Sequence, residues 1–164
     1  MTVFVPRDYQ RLMLMHLARP GVRRRNLWGG MGVGKTVTVL TYLDWCYNEL
    51  GAEPGPTLVI GPLRVVQSVW PEEQAKWAHL SRLKLVTITG TAEERLAALK
   101  RPAQVYCINY DNLLWLFDAL GTSSRFPGEP WRPELPERNL IWMFASVDPA
   151  INQLQERNLP IPWA

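Results

Sequence analysis

Gly29-Gly30-Met31-Gly32-Val33-Gly34-Lys35-Thr36 is the stretch whose reading decides the fold of this chain. It completes the pattern G-x-x-x-x-G-K-[ST] at Gly29, Gly34, Lys35 and Thr36. Glycines accept positive φ and let a backbone approach a ligand where a Cβ would clash. Successive N–H groups of such a loop, with the N-terminus of the helix that follows, cradle phosphate oxygens. Lys35 offers a compact cation to the β- and γ-phosphates, and the Thr36 hydroxyl is a ligand for Mg2+. Gly29, Gly30, Met31, Gly32, Val33, Gly34, Lys35 and Thr36 are therefore the expected phosphate-binding set. ATP with Mg2+ is the expected ligand, and Lys35 and Thr36 are the members that act on the phosphates.

The flanking sequence has the strand-loop-helix setting that such a loop needs. Arg25-Asn26-Leu27-Trp28 predicts a short strand, and Thr36 to Leu50 a helix that stops at Gly51. Glu53-Pro54-Gly55-Pro56 is a loop. Thr57-Leu58-Val59-Ile60, Leu85-Val86-Thr87-Ile88-Thr89 and Val105-Tyr106-Cys107-Ile108-Asn109 predict strands. Leu63 to Ala78 predicts mostly helix, which Pro71 either kinks or restarts, because proline suits a first helical turn. Thr91 with Glu94 is a capping box opening a helix to Lys100, and Asp111 to Leu120 predicts a further helix. Alternating strands and helices imply an α/β fold, a three-layer parallel sheet with helices on both faces.

At 164 residues the chain has room for one domain of about 100–200 residues. A net charge of +3 permits a nucleic-acid partner without arguing for one, since a basic footprint matters only where it is clustered. The run Arg23-Arg24-Arg25 is either a solvated loop or a support for phosphates or DNA. Cys46 and Cys107 have no metal-ligand spacing, which fits two reduced thiols and a cytoplasmic setting. A charged segment followed by an apolar core is missing from the N-terminus, so no signal peptide is expected. No apolar run approaches the roughly 20 residues that span a bilayer, so no membrane partner is expected.

Beyond Gly121 the alternation stops. Half of the chain's 14 prolines fall in residues 121–164, and only Asn139 to Val147 predicts another strand. The expected division is therefore a nucleotide-binding domain over 1–120 and an irregular, proline-rich, tryptophan-containing tail over 121–164.

Over about residues 5–120 the spacing resembles the first RecA-like lobe of Swi/Snf-type DNA translocases among the superfamily-two helicases, particularly their compact phage and bacterial members. Besides the P-loop, four segments carry the likeness. Pro6-Arg7-Asp8-Tyr9-Gln10 is similar to the family's adenine-reading motif, which implies that Gln10 selects adenine and an aromatic stacks nearby. Gly61-Pro62-Leu63, then Trp70, Glu73, Lys76 and Trp77, resembles motif Ia, whose strand end faces the DNA backbone. Large aromatics at helical spacing usually pack inward, so the tryptophans read as core. Thr89-Gly90-Thr91 followed by Arg95 resembles motif Ib, where N–H groups and a hydroxyl meet a DNA phosphate; Thr91 also fits a plain helix cap. Ile108-Asn109-Tyr110-Asp111-Asn112-Leu113 resembles motif Ic, which would bring Asn109 and Tyr110 near DNA; a plain strand-to-helix turn fits as well.

The resemblance implies an ATP-binding lobe of a DNA-dependent ATPase or helicase, in the cytoplasm of a bacterium or phage-infected cell, with DNA as partner. It also implies an apolar run followed by Asp-Glu, whose Asp helps hold Mg2+ and whose Glu orients the attacking water. No Asp-Glu pair occurs in the chain. Ile141 to Val147 is followed by Asp148, which would be the metal ligand of a degenerate version, with Pro149 where the Glu belongs. The second RecA-like lobe, with its arginine fingers, is expected from elsewhere. A truncation or frameshift after Leu120 would account for the change of pattern. Two other functions are compatible with a P-loop: a nucleotide-binding regulator or decoy without turnover, and a small kinase.

Overall fold

The computed structural model describes residues 2–19, 25–49, 56–120 and 140–142. Four parallel strands form one sheet in the order β2-β3-β1-β4, with β1 Thr57–Gly61, β2 Leu85–Ile88, β3 Val105–Asn109 and β4 Leu140–Trp142. The five α-helices described are α1 Asp8–Ala18, α2 Lys35–Asp44, α3 Trp70–Lys76, α4 Ala92–Lys100 and α5 Leu113–Ala119.

Period-two alternation sorts the strand side chains between two apolar layers. Val59, Val105 and Cys107 face Val37, Leu40 and Leu43 of α2 together with Val66 and Trp70. Ile60, Ile88 and Ile108 face the opposite way, onto Ala98 of α4 and Leu116 of α5. Both faces are thus covered, as a parallel sheet requires. Burying each of these aliphatic side chains stabilises by roughly 1.5–3 kcal/mol. Packing on the sheet, more than helix propensity, holds helices of 7 to 11 residues in place.

The three strands expected before residue 120 and downstream of the P-loop are present, within a residue of their expected ends. The strand expected in the tail is present as β4, which runs parallel to β1 with Leu58 opposite Leu140 and Ile60 opposite Trp142.

Several elements differ from the sequence reading. Residues 25–28 form no strand among the described residues, although Leu27 packs against the core. A strand exists only where a neighbour completes its ladder, and local pattern cannot supply one. α2 ends at Asp44 and gives way to a π-helical turn, Trp45–Glu49; Leu50 and Gly51 lie outside the described residues. Leu63 to Lys76 is helical, as expected, and it breaks near Pro71 as that reading allowed. Pro71 has no N–H to donate, and the chain makes a wide π-helical turn over Val65–Val69 before restarting as α3 with the proline in its first turn. The helix expected from Asp111 begins as a 3-10 turn, Tyr110–Asn112, before α5.

The C-terminal end of α2 is fastened to the turn Ala78–Arg82. Arg82 donates from Nε to Asp44 Oδ1 at 3.0 Å and from Nη2 to Asp44 Oδ2 at 2.9 Å, and it also reaches Glu49. Asp44 is buried and accepts a further bond from Asn48 Nδ2 at 2.8 Å. Nearby, Phe4 packs edge-on against Trp77 with ring centroids 5.2 Å apart and stacks on His79 at 5.3 Å. This strap along the N-terminal arm is completed by two backbone bonds, Thr2 N–H to the Lys76 carbonyl and Ala78 N–H to the Thr2 carbonyl, each 3.0 Å.

Candidate nucleotide site and strand-end surface

The loop ahead of α2 has a phosphate cradle's backbone. Gly32 and Gly34 both adopt φ of 76°, in the left-handed region. Gly34 is the residue from which α2 starts, and the first turn of α2 contains no acidic residue. A phosphate approaching that helix end would meet the positive end of its dipole and no opposing carboxylate within the turn. Lys35 Nζ donates to the carbonyls of Gly29 and Gly30, each at 2.8 Å. The lysine is therefore folded over the loop mouth, where an incoming phosphate can take over those donors. Met31 stands 78% exposed at the loop's tip. The donor set fits a nucleotide's phosphates, and Mg2+ bound with them would neutralise their charge. Thr36, half-buried in the first turn of α2, is the residue that would hold it. Among the described residues no group of three or more His, Cys, Asp or Glu side chains is gathered for a metal. Asp148, the other expected metal ligand, lies outside the described residues.

Gln10 braces this loop. Its Nε2 donates to the Val33 carbonyl at 3.2 Å, and its Oε1 accepts from the Arg7 N–H at 2.9 Å. The side chain is only 7% exposed. A Cβ on Gly34 would lie 2.5 Å from Gln10 Nε2, so the contact needs glycine at that position for space as well as for φ. Tyr9, the aromatic beside it, is partly exposed and accepts a bond from Arg7 Nη1 at 3.3 Å.

The residues matched to motifs Ia, Ib and Ic come together at the carboxyl ends of adjacent strands. Gly61, just before Pro62 and Leu63, stands opposite Asn109; Ile88, just before the Thr89-Gly90-Thr91 turn, stands opposite Ile108. In open α/β sheets this is the edge at which ligands bind. Leu63 is 46% exposed and Tyr110 38%. Asn109 is 4% exposed and bound within its own turn: its Nδ2 donates to Asp111 Oδ2 at 3.1 Å and its Oδ1 accepts from Asn112 Nδ2 at 2.6 Å. Gly90 has φ of 89°. Thr91 is a helix cap in full: its N–H donates to Glu94 Oε2 at 2.7 Å and its Oγ1 accepts from the Glu94 N–H at 3.3 Å. Both groups that would greet a phosphate are thus occupied by Glu94. The Thr91-to-Glu94 spacing was the signal for that. An open groove of about 540 Å3 runs beside this turn, lined in part by Gln67, Thr87, Thr89, Gly90 and Arg101.

Trp70 is fully buried, with its indole N–H unpartnered, and Trp77 packs on the same core while donating to Glu73 Oε2 at 2.9 Å. These two tryptophans pack in the core, as expected. Of the basic run, Arg25 is half-buried, while Arg23 and Arg24 lie outside the described residues. Cys46 and Cys107 are unpaired; burial pushes the Cys107 thiol up to about 12 and raises Cys46 as well, which keeps both protonated at neutral pH.

A family model described as the SNF2-related domain matches residues 26–147. The chain belongs to the SNF2-related domain family. The match runs past Leu120 through β4 and ends just before Asp148. Among relatives, the chain is 49% identical over 127 residues to "Putative protein p41" of Acyrthosiphon pisum secondary endosymbiont phage 1, covering 77% of this chain and 27% of that protein. It is 38% identical over 64 residues to Protein CHROMATIN REMODELING 19 of Arabidopsis thaliana, covering 39% of this chain and 8% of that protein. It is 30% identical over 133 residues to Chromodomain-helicase-DNA-binding protein 8 of Xenopus tropicalis, covering 78% and 6%. The SNF2-related chain thus spans at most 27% of these relatives' lengths. Among the described residues no helix is long and apolar enough to cross a membrane.

Proposed function

We propose that this chain is the ATP-binding first lobe of an ATPase that translocates on duplex DNA, acting in the cytoplasm of a phage-infected or bacterial cell. The observation that carries this reading is the pairing of a glycine-built loop with Lys35 at the start of α2, inside an SNF2-related domain. In this reading Gly29 to Thr36 hold the phosphates of ATP, and Thr36 holds Mg2+ with help from Asp148. Gln10 braces that loop through the Val33 carbonyl. Pro62, Leu63, Gly90 and Tyr110 line the surface that follows the DNA backbone, with Thr91 capping α4 and Asn109 tying its own turn behind them. Residues 1–120 are the working lobe, and a second lobe, on the same polypeptide or a partner chain, completes the site with cations that contribute about 10³–10⁵ in rate.

A second reading rests on a specific feature. The sequence has no Asp-Glu pair to orient water, so the chain would bind nucleotide without turning it over, as a regulator or decoy. One experiment separates the two. Nucleotide binding and DNA-stimulated hydrolysis are measured on the purified chain, with Lys35→Ala as control. DNA-stimulated turnover that the control abolishes supports the ATPase. Binding without turnover supports the regulator. Transfer of phosphate to a small molecule, the mark of a P-loop kinase, would sink both.

A further inference from the structure

Arg95 projects from α4 yet belongs to two turns at once. Its Nη1 donates to the Gly90 carbonyl at 2.7 Å, and its guanidinium carbon stands 4.5 Å from the ring centroid of Trp115 on α5. Gly90 ends the segment leaving β2, and Trp115 follows the segment leaving β3. Arg95 Nε is buried without a partner, so the guanidinium's placement rests on that carbonyl and that indole face. A buried donor left without a partner is costly, and the charge-assisted hydrogen bond and the cation over the indole together offset it. The arrangement is therefore sustained only while both partners are in place. Gly90 itself sits at φ 89°, a left-handed conformation that glycine reaches without the penalty other residues meet.

We infer that Arg95 is a positioning residue: it clamps the Gly90 turn to α5 and so fixes the relative placement of the two strand-end turns that would follow the DNA backbone. The functional half of this inference rests on the DNA-tracking reading above. The clamp itself does not. Lysine cannot replace the arginine, because a point-charge ammonium lacks the planar fork that donates to Gly90 while lying over the indole.

Two readouts on the whole chain test it. The first is amide hydrogen exchange across residues 89–95. Arg95→Ala and Trp115→Leu each raise exchange there by about tenfold, Arg95→Lys fails to restore it, and β3 stays protected in all three, showing an intact sheet. Unchanged exchange at residues 89–95 overturns the clamp whether or not the chain binds DNA. The second is binding of a short duplex at several salt concentrations, with nucleotide binding as reference. Arg95→Ala and Trp115→Leu should weaken duplex binding together, by about 3–10-fold, with the double variant no worse than the weaker single one, and with nucleotide binding unchanged. If Arg95→Ala instead lowers the salt slope by about one while Trp115→Leu binds normally, Arg95 is a direct phosphate contact and the positioning role is wrong. Unmodified chain that binds no duplex removes the DNA-tracking reading and leaves the exchange result to decide the clamp.

Discussion

The side-chain amide of Gln10 bridges two backbones, donating to the Val33 carbonyl at 3.2 Å and accepting from the Arg7 N–H at 2.9 Å. A residue whose family motif implies adenine reading is here a buried strut between α1 and the phosphate loop. Loss of one such bond from a buried group costs about 1–3 kcal/mol. Gln10→Ala is expected to lower the urea unfolding midpoint and to weaken ATP and GTP by a similar factor, about 3–10-fold. Competitive titration with both nucleotides checks this; weakening confined to ATP would assign Gln10 to the base instead of the loop.

Two neighbouring glycines of the loop differ in what they tolerate. An alanine at Gly34 must take φ near 76° and put its Cβ 2.5 Å from Gln10 Nε2, whereas a Cβ at Gly30 meets nothing within 4 Å. Gly34→Ala is expected to destabilise by roughly 1–3 kcal/mol and to impair nucleotide binding. Gly30→Ala should stay within about 0.5 kcal/mol of the parent. Denaturant unfolding of the pair decides it, and equal effects would count against the loop geometry.

The Asp44–Arg82 pair holds the end of α2 against the turn Ala78–Arg82. Asp44 is 4% exposed and Arg82 lies largely at the surface, so solvent screens the arginine's side of the pair. Asp44→Asn leaves a buried site with one charge removed and the fork-to-carboxylate geometry lost; about 1–3 kcal/mol of stability should go with it. Arg82→Lys, which gives up the bidentate fit at a solvent-screened group, should cost less than Asp44→Asn does. Thermal unfolding of the two variants gives the order, and Arg82→Lys proving the worse would contradict this account.

Burial holds His79 below its ordinary value; Asp44 opposes that by attraction and Arg82 adds to it by repulsion. Its Nε2 shares a contact of 2.9 Å with Thr41 Oγ1, and its Nδ1 is buried without a partner. The unfolded chain binds this proton near pH 6.5, and the folded chain only at lower pH. Above about pH 7 both states are neutral and the full stability is present. As pH falls below 6.5 the unfolded state gains its proton first, so stability declines toward the folded-state value. The melting temperature should therefore fall between pH 7.5 and 5.5, and His79→Gln should flatten that fall. An identical slope in the variant would remove His79 as the cause.

What could be read from the sequence alone was whatever rests on local chemistry. The glycines and Lys35 of the loop, the Thr91–Glu94 cap, the proline that restarts α3 and the strands centred on Val59, Thr87 and Cys107 each follow from a few adjacent side chains and their period. They were enough to give the three-layer α/β class and the family. Tertiary structure decided everything that depends on a partner far along the chain. Among the described residues it left 25–28 without a ladder, set β4 beside β1, and turned Gln10 toward Val33. It also brought Arg82 to Asp44, and Arg95 from α4 over Trp115 on α5. A strand's neighbours and a buried polar group's partner are set by which surfaces the packed sheet brings together, and no local pattern of residues contains that choice.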